Sequence, residues 1–196
     1  GQRIFRRLEQ LPCPSVAVIN GNALGGGLEL ALAATWRLGL ESVQPCLGLP
    51  EILLGLHPAI GGTVRAVSLP GARQAIDPML TGRSISMADG LAWGLLDGIT
   101  TIDAWRDRAC QMIALPRPRR RLPPLDALLG LGVARGFVAD SLATRARRKA
   151  HPDHYPAPFA LIETWRRYGA AGDAAYAAEA SSFGNLATSA TSRNLV

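Results

Sequence analysis

The chain has 196 residues, 48% of them hydrophobic and 18% charged, with a net charge of +6 and a pI of about 10.0. That composition excludes a disordered chain and fits one ordinary domain, or a core with an appendage. The positive balance admits polyanionic partners, but Arg117, Arg119, Arg120 and Arg121 sit among prolines without interleaved aromatics, which reads as a solvated linker and not as a nucleic-acid surface.

In chain order, residues 2–10 predict a short amphipathic helix with Ile4, Phe5 and Leu8 on one face, ended by Pro12 and Pro14. Ser15 to Ile19 reads as a fully buried apolar strand, and Asn20-Gly21-Asn22 as a turn. The glycines Gly25-Gly26-Gly27 then open a helix that reads as buried on all sides and runs to about Thr35. Strands are expected over 36–40 and 45–49, joined by the polar piece Glu41 to Gln44. His57 to Thr63 is a loop that opens a helix near Thr63. Helices fit 71–80, 86–92 and 103–114, with a strand over 95–100 after the turn at Trp93-Gly94. Trp36, Trp93, Trp105 and Trp165 read as core or helix-face residues. Beyond the Pro/Arg segment 116–124 the pattern is helical from Leu125 to Lys149, with Gly132 and Gly136 spaced for close helix contact. Further helices fit 158–168, set up by Pro156 and Pro158, and 173–187.

The three cysteines, Cys13, Cys46 and Cys110, are odd in number and widely spaced, which predicts buried thiols in a reducing compartment. No apolar run is long enough to span a bilayer; the best candidate, near 16–40, is interrupted by Glu29 and Arg37. Gly1 to Leu11 is mixed charged and apolar, unlike a signal peptide. A cytoplasmic location is the expectation. His57, His151 and His154 have no metal-ligand spacing, so no metal is expected. The glycine run lacks both G-x-G-x-x-G and a following Lys-Ser/Thr, which argues against a nucleotide-binding unit.

Two carboxylates carry the chemical interest. Glu29 lies in the first turn of the apolar helix, on one face with Leu32 and Ala33. A carboxylate in such surroundings costs several kcal/mol unless paired, or it takes up a proton. Glu51 follows Pro50. Two readings stand for these residues. One is a packed glycine turn with Glu29 in a buried ion pair. The other is an acid/base pair beside an oxyanion site, because glycines let a backbone N–H approach a ligand at a positive helix end.

The runs PCPSVAVINGNALGGGLELALAATWRL, GLPEILLGLHPAIGGTVR and LTGRSISMADGLAWGLLDGI together resemble the crotonase (enoyl-CoA hydratase/isomerase) superfamily over about residues 12–100. The tail, GVARGFVADSLATRARRKAHPDHYPAPFALIETWRRYG followed by EASSFGNLATSATSRNLV, looks like the α-subunit of the bacterial multifunctional fatty-acid oxidation complex. The resemblance implies an α/β fold of the ClpP/crotonase ββα superhelix type, with its amino-terminal part missing and an α-helical carboxy-terminal extension. Residues 1–115 would be the partial core and 116–196 the extension towards a missing dehydrogenase half. It implies hydration of a trans-2-enoyl-CoA, with Glu29 activating water, Glu51 exchanging the α-proton and the Gly26 N–H as oxyanion donor. A second donor would precede Gly1. Glu51 would act as a neutral donor if its site is the drier one, while the helix end keeps Glu29 ionised. The same resemblance sets Ala23, Leu24, Gly25, Pro50, Pro58, Gly61 and Gly62 along the substrate, an acyl-CoA thioester. No metal or redox cofactor is implied, and the expected assembly is an oligomer or, if the parent is the multifunctional α-subunit, a complex with a thiolase subunit. The loop Pro58-Ala59-Ile60-Gly61-Gly62 departs from the superfamily's usual Pro-Gly-aromatic-Gly-Gly, and the segment between the glutamates looks about two residues longer, around 41–44. Double-bond isomerisation, which needs one glutamate, and a non-catalytic assembly role are the alternatives.

Overall fold

The computed structural model describes residues 1–41, 46–118 and 120–196. The chain runs through α1 (Gln2–Glu9), β1 (Val16–Ile19), β2 (Ala23–Leu24), α2 (Gly26–Ala33), β3 (Trp36–Leu40) and β4 (Cys46–Gly48). A 3-10 turn (Pro50–Leu54) leads to α3 (Gly62–Ser68), α4 (Ala72–Thr81), β5 (Ile85–Ser86), α5 (Met87–Ala92), β6 (Gly98–Thr100) and α6 (Trp105–Ala114). Then follow α7 (Pro124–Leu129), α8 (Gly132–Arg147), α9 (Ala157–Tyr168), α10 (Gly172–Ala187) and α11 (Ala190–Leu195).

Two small sheets organise the α/β part. One has the order β1-β3-β6, all parallel. The other has the order β2-β4-β5, with β2 parallel to β4 and β5 antiparallel to it. The β2–β4 register pairs Ala23 with Leu47 and Leu24 with Gly48. The Gly25 N–H continues the ladder to the Gly48 carbonyl at 2.9 Å. The chain therefore leaves both strands at the same edge, into α2 on one side and into the 3-10 turn on the other. Carboxyl ends of parallel strands are where α/β proteins assemble their sites.

The main core joins Leu28 and Leu32 of α2, Leu47, Leu49, Ile76, Met79 and Leu96 to Leu142 of α8 and Leu161, Ile162 and Trp165 of α9. The late helices thus share the hydrophobic interior of the α/β part. Buried Arg37 ties β3 to the turn before β6: it donates from Nε to Leu95 O at 2.7 Å, from Nη1 to Ala34 O at 2.9 Å and from Nη2 to Asp97 Oδ2 at 2.7 Å. Among the described residues, no helix is long and apolar enough to cross a membrane.

Several local expectations need correction. β1 is half-buried along most of its length, because one face meets only α6 and the edge of the sheet. α2 is not buried on all sides: Leu30 is 46% exposed, and Gly26 and Gly27 are open. α1 buries no residue, and Ile4 faces solvent. The strand expected over 95–100 is limited to Gly98–Thr100, since Leu95 and Leu96 turn into the core after α5. The helical pattern expected from 125 to 149 is divided at Gly130-Leu131 into α7 and α8. Gly132 and Gly136 face open space and make no close helix contact. None of the cysteines is buried; Cys13 and Cys110 are exposed thiols. The tryptophans need no correction: Trp165 is fully in the core, and Trp36, Trp93 and Trp105 are half-buried against core clusters. The Pro/Arg segment is docked rather than freely solvated: Arg120 pairs with Asp97 Oδ1 at 2.7 Å, and Arg117 donates to Cys13 O at 3.1 Å. Pro45, the longer joining segment at 42–44 and Arg119 lie outside the described residues.

Candidate active site

The site begins at the turn between β2 and α2. Gly25 sits there at φ +53°, in the left-handed region. A Cβ at this position would lie 3.1 Å from Glu51 Oε1, so the turn also needs the missing side chain to let the carboxylate approach. Gly26 is the first residue of α2, where backbone N–H groups have no acceptor within the helix. The Ile60 side chain lies over it, 3.8 Å from where a Cβ would stand.

Glu29 comes one turn later and is only 2% exposed. Among the described residues it makes no ion pair. Its Oε1 accepts instead from the backbone N–H groups of Ile60 and Gly62, both at 2.7 Å. Gly62 permits this approach: a Cβ there would stand 2.5 Å from Glu29 Oε1 and 2.7 Å from the Pro58 Cβ. The buried ion pair considered from the sequence is thus replaced by two amide donors.

Glu51 lies in the 3-10 turn, partly exposed, with Oε2 buried and unpartnered among the described residues. A buried oxygen without a donor is uncommon and calls for an explanation, often a functional one. The acidities follow from these surroundings. Burial pushes the Glu29 proton up to about 7, against the pull of the Ile60 amide; the charges of Glu179 and Glu51 add to the rise, and the Gly62 amide opposes it. Burial also raises Glu51, with Glu179 contributing. Glu29 is the more buried of the two, so the condition that Glu51 lies in the drier site is not met. An acid poised near neutrality suits general-base work, for which the best acidity matches the working pH.

The remaining expected residues divide. Pro50 starts the 3-10 turn that carries Glu51. Pro58, Gly61 and Gly62 form the loop around Glu29, with Gly61 at φ +94°. Leu24 is 41% exposed at the end of β2, whereas Ala23 points its side chain into the core.

Sequence reasoning missed Glu179. It lies on α10, wholly buried, and accepts from the N–H groups of Gly61 at 2.6 Å and Thr63 at 2.9 Å, from the Thr63 hydroxyl, and from Gln2 Nε2 at 3.0 Å. A signal existed: Glu179 shares the buried face of α10 with Ala175 and Tyr176, the argument that singled out Glu29.

Residues 1–115 match the enoyl-CoA hydratase/isomerase family. The fatty acid oxidation complex subunit alpha of Idiomarina loihiensis is 37% identical over 199 residues, covering 100% of this chain and 28% of that protein. Its counterpart in Shewanella loihica is 37% identical over 171 residues, 85% of this chain and 24% of that one. The chain thus spans about a quarter of the length of these relatives. An enoyl-CoA hydratase from Rhodobacter sphaeroides superposes with a TM-score of 0.65 at 24% identity, over 94% of this chain and 60% of that one. One from Mycobacterium avium subsp. paratuberculosis gives a TM-score of 0.63 at 22% identity, over 98% and 66%. These likenesses establish the crotonase fold. With its glycine turn, its paired strand ends and the family match over its first 115 residues, the chain belongs to the enoyl-CoA hydratase/isomerase family.

Proposed function

We propose that this chain carries the acid/base side of an enoyl-CoA hydratase site, adding water reversibly to a trans-2-enoyl-CoA to give a 3-hydroxyacyl-CoA in fatty-acid β-oxidation. The observation that carries the reading is the pair of strand-end carboxylates, Glu29 held by two amides near a pKa of about 7 and Glu51 beside it at Gly25. Both loop amides use Oε1 of Glu29, so Oε2 is the oxygen assigned to water. As the water oxygen bonds to the β-carbon, Glu29 takes its proton. The electron pair of the carbon–carbon double bond moves onto the thioester oxygen, which the Gly26 N–H meets as donor. Glu51, whose proton is harder to lose through burial and the nearby Glu179 charge, then supplies the α-carbon proton, and proton exchange between the carboxylates and solvent resets the pair. One such amide donor is worth about 3–4 kcal/mol in oxyanion sites.

Ala23, Leu24, Gly25, Pro50, Pro58, Gly61 and Gly62 would line the acyl-CoA path, Ala23 through its backbone. The reaction so written calls on no metal or redox cofactor. Residues 1–115 would act as the catalytic core and 116–196 as its helical extension, within a cytoplasmic complex that includes a thiolase subunit. The test uses the complete protein that contains this chain and follows loss of the enoyl-thioester absorbance. Glu51→Gln should lower kcat by about 100-fold to 10,000-fold. Full hydration by that variant would sink the assignment.

A further inference from the structure

We propose that Glu179 is a positioning residue: from α10 it holds the Ile60–Thr63 loop whose amides orient the Glu29 carboxylate, so that the helical extension completes the catalytic site. The proposal rests on the hydratase reading above. Its geometry is an alternation. Four consecutive backbone N–H groups go in turn to Glu29 (Ile60), Glu179 (Gly61), Glu29 (Gly62) and Glu179 (Thr63), at 2.7, 2.6, 2.7 and 2.9 Å. The loop cannot shift towards one carboxylate without leaving the other.

Every group that meets the Glu179 oxygens is a donor: the Gly61 and Thr63 amides, the Thr63 hydroxyl and Gln2 Nε2 of α1. That set suits an ionised carboxylate, which only accepts. A second tie lies one turn along α10. His57 is wholly buried at the other end of the loop, with Nδ1 2.8 Å from the Pro58 carbonyl and Nε2 2.8 Å from Ser182 Oγ. The carbonyl can only accept, so Nδ1 carries the proton and Nε2 accepts from the serine hydroxyl. Two α10 side chains therefore grip both ends of the loop.

Packing alone does not account for a charge here. An apolar residue would seat α10 on α3 without desolvating a third carboxylate beside two others. The groups facing Glu29 are Glu179 from α10, Glu51 from the 3-10 turn and the two loop amides. Around Glu179, Arg65 of α3 and Arg6 of α1 stack on Tyr176, one turn back along α10. Arg65 also pairs with Glu9 at 3.1 Å. Removing the Glu179 charge should therefore ease ionisation of Glu29.

The experiment compares the complete wild-type protein with Glu179→Gln and Ser182→Ala. It reads kcat, KM, the pH profile of kcat/KM, and hydrogen exchange of the amides at 60–63. Glu179→Gln should lower kcat about 10-fold to 100-fold with KM within about twofold, since a misplaced base is felt in the transition state. Its acidic limb should move to lower pH, and exchange at 60–63 should quicken. Ser182→Ala should give a smaller loss in the same direction. A folded Glu179→Gln protein with wild-type kcat and pH profile, and only lower stability, would overturn the proposal. If the wild type fails to hydrate enoyl-CoA, the hydratase reading falls instead. Exchange then decides the clamp: faster at 60–63 in the variant supports it, unchanged overturns it.

Discussion

Glu29→Gln separates what the carboxylate does for chemistry from what it does to the fold. The folded chain holds the Glu29 proton up to about 7, against 4.5 for the group in ordinary surroundings. The native state therefore binds this proton more tightly than the unfolded chain does. The stability that comes with it is fully present below about pH 4.5 and drains as pH rises through about 7. At about 1.4 kcal/mol per tenfold, the ionised group costs the fold about 3 kcal/mol by about pH 8. A glutamine is neutral throughout, and its carbonyl oxygen can accept both the Ile60 and Gly62 amides. The variant should lose hydration activity by about 100-fold to 10,000-fold. It should also lose most of the fall in stability between about pH 5 and about pH 8. Urea unfolding at both pH values measures that fall, and the contributions of Glu51 and Glu179, present in both proteins, largely cancel in the comparison. If Glu29→Gln keeps the wild-type pH dependence of stability, or hydrates within a few-fold of wild type, the reasoning about this carboxylate is wrong.

Two other substitutions probe the supports. Gly62→Ala would bring a methyl group to 2.5 Å from Glu29 Oε1 and 2.7 Å from the Pro58 Cβ, so the loop must move; stability should fall by about 1–3 kcal/mol in urea, with kcat reduced beyond what the folded fraction explains. Arg37→Met leaves the Leu95 and Ala34 carbonyls without their buried donor, and should cost about 3–5 kcal/mol in the same assay while leaving the kcat of the folded protein near wild type.

The glycine turn and its buried carboxylate are legible in the sequence because their signals are local. Glycines before an apolar helix mark a backbone that must turn sharply and approach another group, and Glu29 stands out against Leu28, Leu32 and Ala33. What holds Glu29 was not legible. Its donors are main-chain N–H groups at 60 and 62, and any residue but proline supplies an N–H, so no side chain announces the contact. The relative burial of the two glutamates is not legible either, for a similar reason. The dryness of Glu29 comes from a loop folding over it, while Glu51 sits half-buried on a short 3-10 turn; neither is written in the flanking residues. The break between α7 and α8 escaped notice because apolar spacing continues through Leu128, Leu129 and Val133, although α8 leaves Val133 and Phe137 79% and 75% exposed.

Three carboxylates around one loop raise the question of why the fold tolerates them. Burial raises the pKa of each above the ordinary carboxylate range, and the Glu179 charge adds to the rise at both Glu29 and Glu51. A sequence selected for stability alone would replace at least one of them by an apolar side chain. The loop amides explain how the arrangement survives. Gly61 to Thr63 enter α3, whose first N–H groups lack partners within the helix, and Ile60 precedes them. Supplying acceptors to four successive amides offsets part of the desolvation of Glu29 and Glu179, and it fixes both carboxylates to one rigid segment. Among the described residues Glu51 receives no such donor at Oε2, so there its charge is the least compensated by protein contacts. That asymmetry fits a division of labour in which Glu29 is held still as the base and Glu51 carries the proton to be delivered.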